Sequence, residues 1–185
     1  MTATGGTYLF VLAINATYTV RVVTPTASSR SGGSTAGIIP VQTYRTSVSG
    51  TTVSAVTAYV GGQTPGLIDA AANTTNATLA SLATSTTTPQ SITSVAIPST
   101  GGFIGIDFGF NFDTIVNAAA GGQGSFAQFL TNANALGGVS SLAQTGQTAA
   151  TQTSIFMIGD GVAHNGLHAG TNATIAETRT LQRSR

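Results

Sequence analysis

Cysteine, tryptophan and lysine are all missing from this 185-residue chain. Without cysteine there are no disulfides, no thiolate metal sites and no thiol nucleophiles, while an oxidising compartment remains open to the protein. Without tryptophan, and with only four tyrosines and five acidic residues, the aromatic and acidic groove of a polysaccharide-processing site is poorly supplied. Charge is scarce as well: Asp, Glu, Lys and Arg make up 6% of the residues, against roughly 25% in an ordinary soluble domain. All six basic residues are arginines, and the net charge is +1, so no basic face exists to neutralise a phosphate backbone and nucleic acid is not an expected partner. Long apolar runs are missing too. Tyr8 to Ile14 is far short of the ~20 residues a membrane-spanning helix needs, and no basic residue precedes it as in a signal peptide. Membrane insertion is therefore not expected.

Thr, Ser, Ala, Gly and Asn fill the space that charge vacates, which favours strands and turns: threonine is β-branched, and glycine and asparagine serve reversals. With 41% hydrophobic residues the chain can bury a core. In Thr7–Val23, Tyr8, Phe10 and Leu12 alternate on one side of Asn15-Ala16, and Tyr18, Val20 and Val22 alternate on the other, which predicts a β-hairpin turning at Ile14-Asn15-Ala16. Thr24 to Gly37 reads as loop. Ile39–Arg45 and Thr52–Val60 read as strands around a turn at Ser49-Gly50, and Ile92–Ile97 as a further strand. Leu67 to Leu82 supports no more than a short helical turn, and Thr84 to Pro89 is a low-complexity polar run.

The strongest pattern is Phe103–Val116, where Ile104, Ile106, Phe108, Phe110 and Phe112 would share one pleat face as a core strand; Gly105, Asp107, Gly109, Asn111 and Asp113 would line the other. Further on, Phe126, Phe129, Leu130, Ala133 and Leu136 recur at helical spacing, opposite Gln128, Thr131, Asn132 and Asn134. Ser125 is placed to cap this helix and Gly137-Gly138 to stop it. Thr153–Ile158 reads as a last, buried strand. The expected fold is all-β, mostly an antiparallel β-sandwich, with one short α-helix near residues 125–136. Residues 1–113 would form an incomplete sandwich carrying a Thr/Ser-rich insertion, and residues 114–185 a helix-capped β segment with a flexible tail.

The stretch Gly6 to Val22 resembles the second half of the SdrD B-like, or collagen-adhesin B-type, repeat domains of bacterial surface proteins. Gly6, Tyr8, Phe10, Tyr18, Val20 and Val22 match their pattern, with Ala16 in place of the usual turn glycine, and Asp107-Phe108-Gly109-Phe110 stands where their closing strand would be. The segment Phe112 to Leu136 is similar to the one that opens right-handed parallel β-helices in large bacterial surface proteins, where a helix caps the first coil. Gly124, Ser125, Leu130, Asn132, Ala133, Asn134 and Ala135 fit that pattern, while Phe126 and Ala127 depart from its usual Leu-Arg. Both resemblances imply a cell-surface or extracellular location and a packing role. The acidic calcium loops of the B-type family have no counterpart here, so no calcium site is carried over, and without lysine the isopeptide cross-link of some adhesin repeats is impossible.

No constellation of residues calls for chemistry. Asp160, His164 and His168 have a metal-ligand spacing, but Gly159, Gly161, Gly166 and Gly170 deny them a helix, so they read as loop residues. Ser125 lacks the second glycine of a nucleophile elbow and already has a use as a cap. Asp107 and Asp113, six residues apart on a strand, would stand ~20 Å from each other, too far to act as a pair. No glycine cluster continues into the Lys-Ser or Lys-Thr of a phosphate loop. Asn15, Asn73, Asn76 and Asn172 each open an N-x-Thr triplet, at the frequency chance gives in so threonine-rich a chain. Arg179, Arg183 and Arg185 form a weakly basic tail. The reading is a non-enzyme with no catalytic, cofactor-binding or metal residues: a structural or adhesive module of a bacterial surface protein or extracellular filament, assembling by strand complementation with copies of itself or with neighbouring surface-protein domains. The alternative is a carbohydrate-binding or polysaccharide-processing β-helix domain.

Overall fold

The computed structural model describes residues 7–24, 37–56, 60–62, 65–66, 91–136 and 152–159. The segments Leu67–Leu82 and Thr84–Pro89, nearly all of the Thr24–Gly37 loop and the Gly137-Gly138 stop lie outside the described residues. The fold is all-β and mostly antiparallel, sandwich-like, with a single short helix among the described residues.

β1 (Ala16–Val22) pairs antiparallel along its whole length with β4 (Ser91–Ile97), Ala16 opposite Ile97 and Val22 opposite Ser91. Their alternations match. Tyr18, Val20 and Val22 share a face with the buried Val95, Thr93 and Ser91, while Thr17, Ser94 and Ala96 face solvent. This corrects the expected Thr7–Val23 hairpin. Its second arm is β1, but residues 9–15 form no strand, and the partner of β1 comes from seventy residues downstream. The reason is in the first arm itself: Leu9, Val11 and Ala13 are as apolar as Tyr8, Phe10 and Leu12, so it has no solvent face to offer as the outer arm of a hairpin. The reversal is nonetheless real. Asn15 takes φ 56°, the left-handed conformation asparagine tolerates, and the Tyr18 hydroxyl accepts from the Ala13 amide at 3.1 Å.

β2 (Val41–Ser49) is the centre of the second sheet, with β3 (Thr52–Ala55) on one side and β5 (Phe108–Asn111) on the other, both antiparallel. The β2–β3 hairpin turns through Gly50-Thr51, one residue beyond the expected Ser49-Gly50, because Ser49 still pairs with Thr52. Gly50 has φ 61°, and a turn with glycine in its first central position follows the twist of the flanking strands. The two sheets meet through side chains: the Arg45 guanidinium donates to the Ile92 carbonyl at 2.8 Å, and the Thr93 hydroxyl donates to the Thr46 carbonyl at 2.6 Å.

The expected core strand over Phe103–Val116 is shorter than its pattern. Only Phe108–Asn111 joins the ladder, with a bulge in β2 between Gln42 and Tyr44. Gly105 at φ 80° interrupts the pleat, so Ile104 is 92% exposed, and Phe108, Phe110 and Phe112 are only half-buried. Thr46 holds the departing chain instead: its hydroxyl donates to the Gly105 carbonyl at 2.9 Å and accepts from the Asp107 amide at 2.8 Å.

Beyond β5, the two-residue β6 (Thr114–Ile115) pairs in parallel with β7 (Ile155–Phe156). β7 is not the buried strand expected, since Ile155 is half-buried and Phe156 is 52% exposed. The helix α1 (Phe126–Leu136) begins where the sequence places it: Ser125 accepts from the Gln128 amide at 3.1 Å, satisfying one of the orphan donors of the first turn. Its buried stripe, however, is Gln128, Phe129, Asn132 and Leu136, so two amides expected on the outer face point inward. They are buried because they bond to backbone. Asn132 exchanges hydrogen bonds with both the amide and the carbonyl of Ile39, and Gln128 donates to the Gly37 carbonyl. Among the described residues the apolar core comprises Ile38, Val41, Ile115, Val116, Phe129 and Leu136, with Ile92 and Val95 on β4.

Candidate functional site

An open cleft of about 730 Å³ lies over the inner face of the β1–β4 sheet. Its floor is Val20, Val95 and Ile97, and its walls are the extended segment Thr7–Leu12 on one side and Gly101–Phe108 on the other. The walls are tied together at one point, where the Tyr8 hydroxyl donates to the Ile106 carbonyl, and the Tyr8 and Phe10 rings lie tilted at 5.4 Å. Burial, helped by the neighbouring Asp107 carboxylate, pushes the Tyr8 phenol above its ordinary value, so at neutral pH it is a hydrogen-bond donor rather than a base. The same segment is largely bare: Leu9 is 79% and Val11 94% exposed, and Phe10 and Ile14 are exposed too.

Asp107, the one carboxylate lining the cleft among the described residues, is exposed, whereas Asp113 is buried. They do not form a pair of equivalent groups. Asp113 sits in a turn built by Asn111, whose carboxamide oxygen accepts from the Asp113 amide at 2.7 Å and from the Thr114 hydroxyl at 2.9 Å. One carboxylate oxygen of Asp113 is buried without a hydrogen-bond partner, and burial raises its carboxyl above the ordinary 3.8. The folded state thus holds this proton more tightly than the unfolded chain, so stability falls as pH rises from about 3.8 through the folded-state value and stays reduced above it. Replacing Asp113 with Asn is expected to raise the melting temperature at neutral pH by about 2–4 °C, with the difference shrinking towards pH 3.8 and below. Thermal melts of both proteins across that pH range check it, and a variant gap that is flat with pH would contradict the burial argument.

The remaining residues with chemical potential are accounted for or lie outside the described residues. Ser125 is fully buried, donates to the Gly122 carbonyl at 2.7 Å and caps α1, which leaves no free hydroxyl for attack. Asn15 is exposed at the reversal before β1. Asp160, His164, His168, Asn73, Asn76, Asn172 and the three C-terminal arginines lie outside the described residues. Among the described residues no three His, Cys, Asp or Glu side chains gather where they could hold a metal ion, and no helix is long and apolar enough to cross a membrane.

The cleft itself is not apparent from the alternation of Tyr8, Phe10 and Leu12. Its signal is the apolar character of Leu9, Val11 and Ala13 between them, which makes the segment too apolar on its outer side for a hairpin arm. The class the fold and this site define is an all-β, sandwich-like protein with an open, nearly uncharged apolar cleft. No protein-family model matches the chain, and no solved structure matches it.

Proposed function

We propose that this chain is a non-enzymatic structural or adhesive module of a bacterial cell-surface or extracellular protein, acting through contacts with copies of itself or with neighbouring surface-protein domains. The observation that carries this reading is the segment Leu9–Ile14: five large apolar side chains in six residues, exposed and outside every ladder formed among the described residues. An apolar surface of this kind on an extracellular protein works by contact, and an extended backbone outside those ladders suits strand complementation. The resemblance of Gly6–Val22 to B-type adhesin repeats, and of Phe112–Leu136 to the opening of surface β-helices, supports the same reading. So does the scarcity of charged groups with which an active cleft would be built.

Electron microscopy of the purified chain, alongside a glycan array and polysaccharide cleavage assays, tests it. The expected outcome is associated particles or fibres with neither glycan retention nor cleavage. Cleavage of a polysaccharide, or tight retention on one glycan class, would replace this function with the carbohydrate one.

A further inference from the structure

We propose that the patch formed by Leu9, Phe10, Val11, Leu12, Ile14 and Ile104 is the contact face for a second copy of this chain, the two copies meeting by the same patch about a twofold axis. The proposal rests on the reading of the protein as a self-associating module and sharpens it by naming the partner and the face. Exposure gives the scale. Val11 is 94%, Ile104 92% and Leu9 79% exposed, with Ile14 and Phe10 above half and Leu12 over a third. With ~150–200 Å² for a fully exposed large apolar side chain, the six present on the order of 700 Å², close to the ~800 Å² per partner of a standard stable interface.

Chemistry selects the partner. None of the six carries charge, and among the described residues Asp107 is the one charged residue lining the adjoining cleft, so an acidic, basic or strongly polar partner finds almost nothing to pair with there. An uncharged apolar face is its own complement, and a chain of net charge +1 scarcely repels its copy. The segment itself is suited to meeting its own kind: Tyr8–Ala13 is six apolar residues with no charge, proline or glycine, the composition of strands that stack on identical strands. The patch is gathered around the cleft mouth. Leu9, Phe10, Leu12 and Ile104 all line the open cleft, and Val11 and Ile14 stand exposed on the same segment beside them. A contact that uses the same patch on both copies closes on itself, so it joins copies in pairs, and a longer assembly needs a second, different contact.

The test is sedimentation velocity on the full chain across a concentration series, with Val11→Asp and Ile104→Lys as variants and Thr17→Asp, on the exposed face of β1, as control. Val11 and Ile104 are so exposed that circular dichroism and melting should match the parent. The parent and the control should dimerise, while each patch variant weakens dimerisation by ~10²-fold or more, since a charge would be buried without a partner. Because the chain has no cysteine, Val11→Cys gives a clean second readout: mild oxidation should yield a disulfide-linked dimer, and a cysteine at Thr17 should not. Association that survives both patch variants overturns this contact face and leaves a self-associating module standing. A parent that is monomeric throughout also overturns it, and if that monomer binds or cleaves polysaccharide the functional reading falls too. A monomer that floats with phosphatidylcholine vesicles, and loses this with Val11→Asp, would give the patch to a lipid surface instead.

Discussion

Substituting Asn132 with leucine is expected to cost about 3–5 kcal/mol of folding stability, a large part of the ~5–15 kcal/mol that typically separates folded from unfolded protein. The side-chain amide uses its whole bonding capacity. Its oxygen accepts from the Ile39 amide at 3.1 Å and from the Gln128 carboxamide at 2.9 Å, and its nitrogen donates to the Ile39 carbonyl at 2.9 Å and the Phe112 carbonyl at 3.0 Å. Asn132 thus treats Ile39 much as a neighbouring strand would, fastening α1 to the chain entering β2 and to the chain leaving β5. Leucine fills similar volume but takes this partner from the Ile39 amide and from the Ile39 and Phe112 carbonyls, and one of two bonds from Gln128, in a site where Asn132 is 2% exposed, and unsatisfied buried groups carry the cost. Asn132→Asp should be at least as damaging at neutral pH, because it deletes both donated bonds and buries a carboxylate. Asn134→Leu, at an exposed position of the same helix, should change stability by no more than ~0.5 kcal/mol. Urea unfolding reads all three, and equal midpoints for Asn132→Leu and Asn134→Leu would refute the role given to the buried amide.

That network also shows where sequence reasoning stops. The start and period of α1 are legible because capping and helical spacing are local, and Ser125 accepts from the Gln128 amide as its position predicts. Which stripe of the helix faces inward is not local. A polar residue reads as outward unless its partner is known, and the partners of Gln128 and Asn132 are backbone groups about ninety residues earlier, at Gly37 and Ile39. Strands follow the same division. The β2–β3 hairpin is legible because Gly50 makes its turn in place, and β4 because its alternation is clear. The partner of β1 is not, since proximity favours residues 8–14 while the better-matched alternation lies at Ser91–Ile97. In the Ile104-to-Phe112 row the side-chain pattern is regular, but Gly105 takes φ 80° and turns the first half out of the sheet. Glycine permits that conformation without announcing it. The cleft was equally hidden, because it is made where the hairpin and the long strand each fail to form.

Gly124→Ala carries the other large expected effect, a loss of about 2–5 kcal/mol, and it separates two costs that glycines usually conflate. Gly124 has φ 75°, where an L side chain costs ~1–2 kcal/mol whatever its surroundings. An added Cβ would also stand 2.4 Å from a Val116 methyl and 2.9 Å from the Asn117 carboxamide nitrogen. Neither neighbour is free to retreat. Val116 is buried and also packs within about 3 Å of where a Cβ on Gly61 would be, while the Asn117 amide donates to the Pro65 carbonyl at 2.7 Å and the Gln123 carbonyl at 2.9 Å. Overpacking adds ~1–3 kcal/mol to the conformational cost. Gly50→Ala supplies the comparison: it has φ 61° but nothing within 4 Å of the new Cβ, so it should show the conformational cost alone, about 1 kcal/mol. Shortening the opposing side chain with Val116→Ala should make Gly124→Ala less costly than it is in the parent, returning part of the steric cost and none of the conformational one. Denaturant midpoints of the four variants decide it. If Gly124→Ala costs no more than Gly50→Ala, the backbone of β6 and the loop before α1 can part without penalty, and the close approach of Gly124 to Val116 does not hold the helix against the sheet.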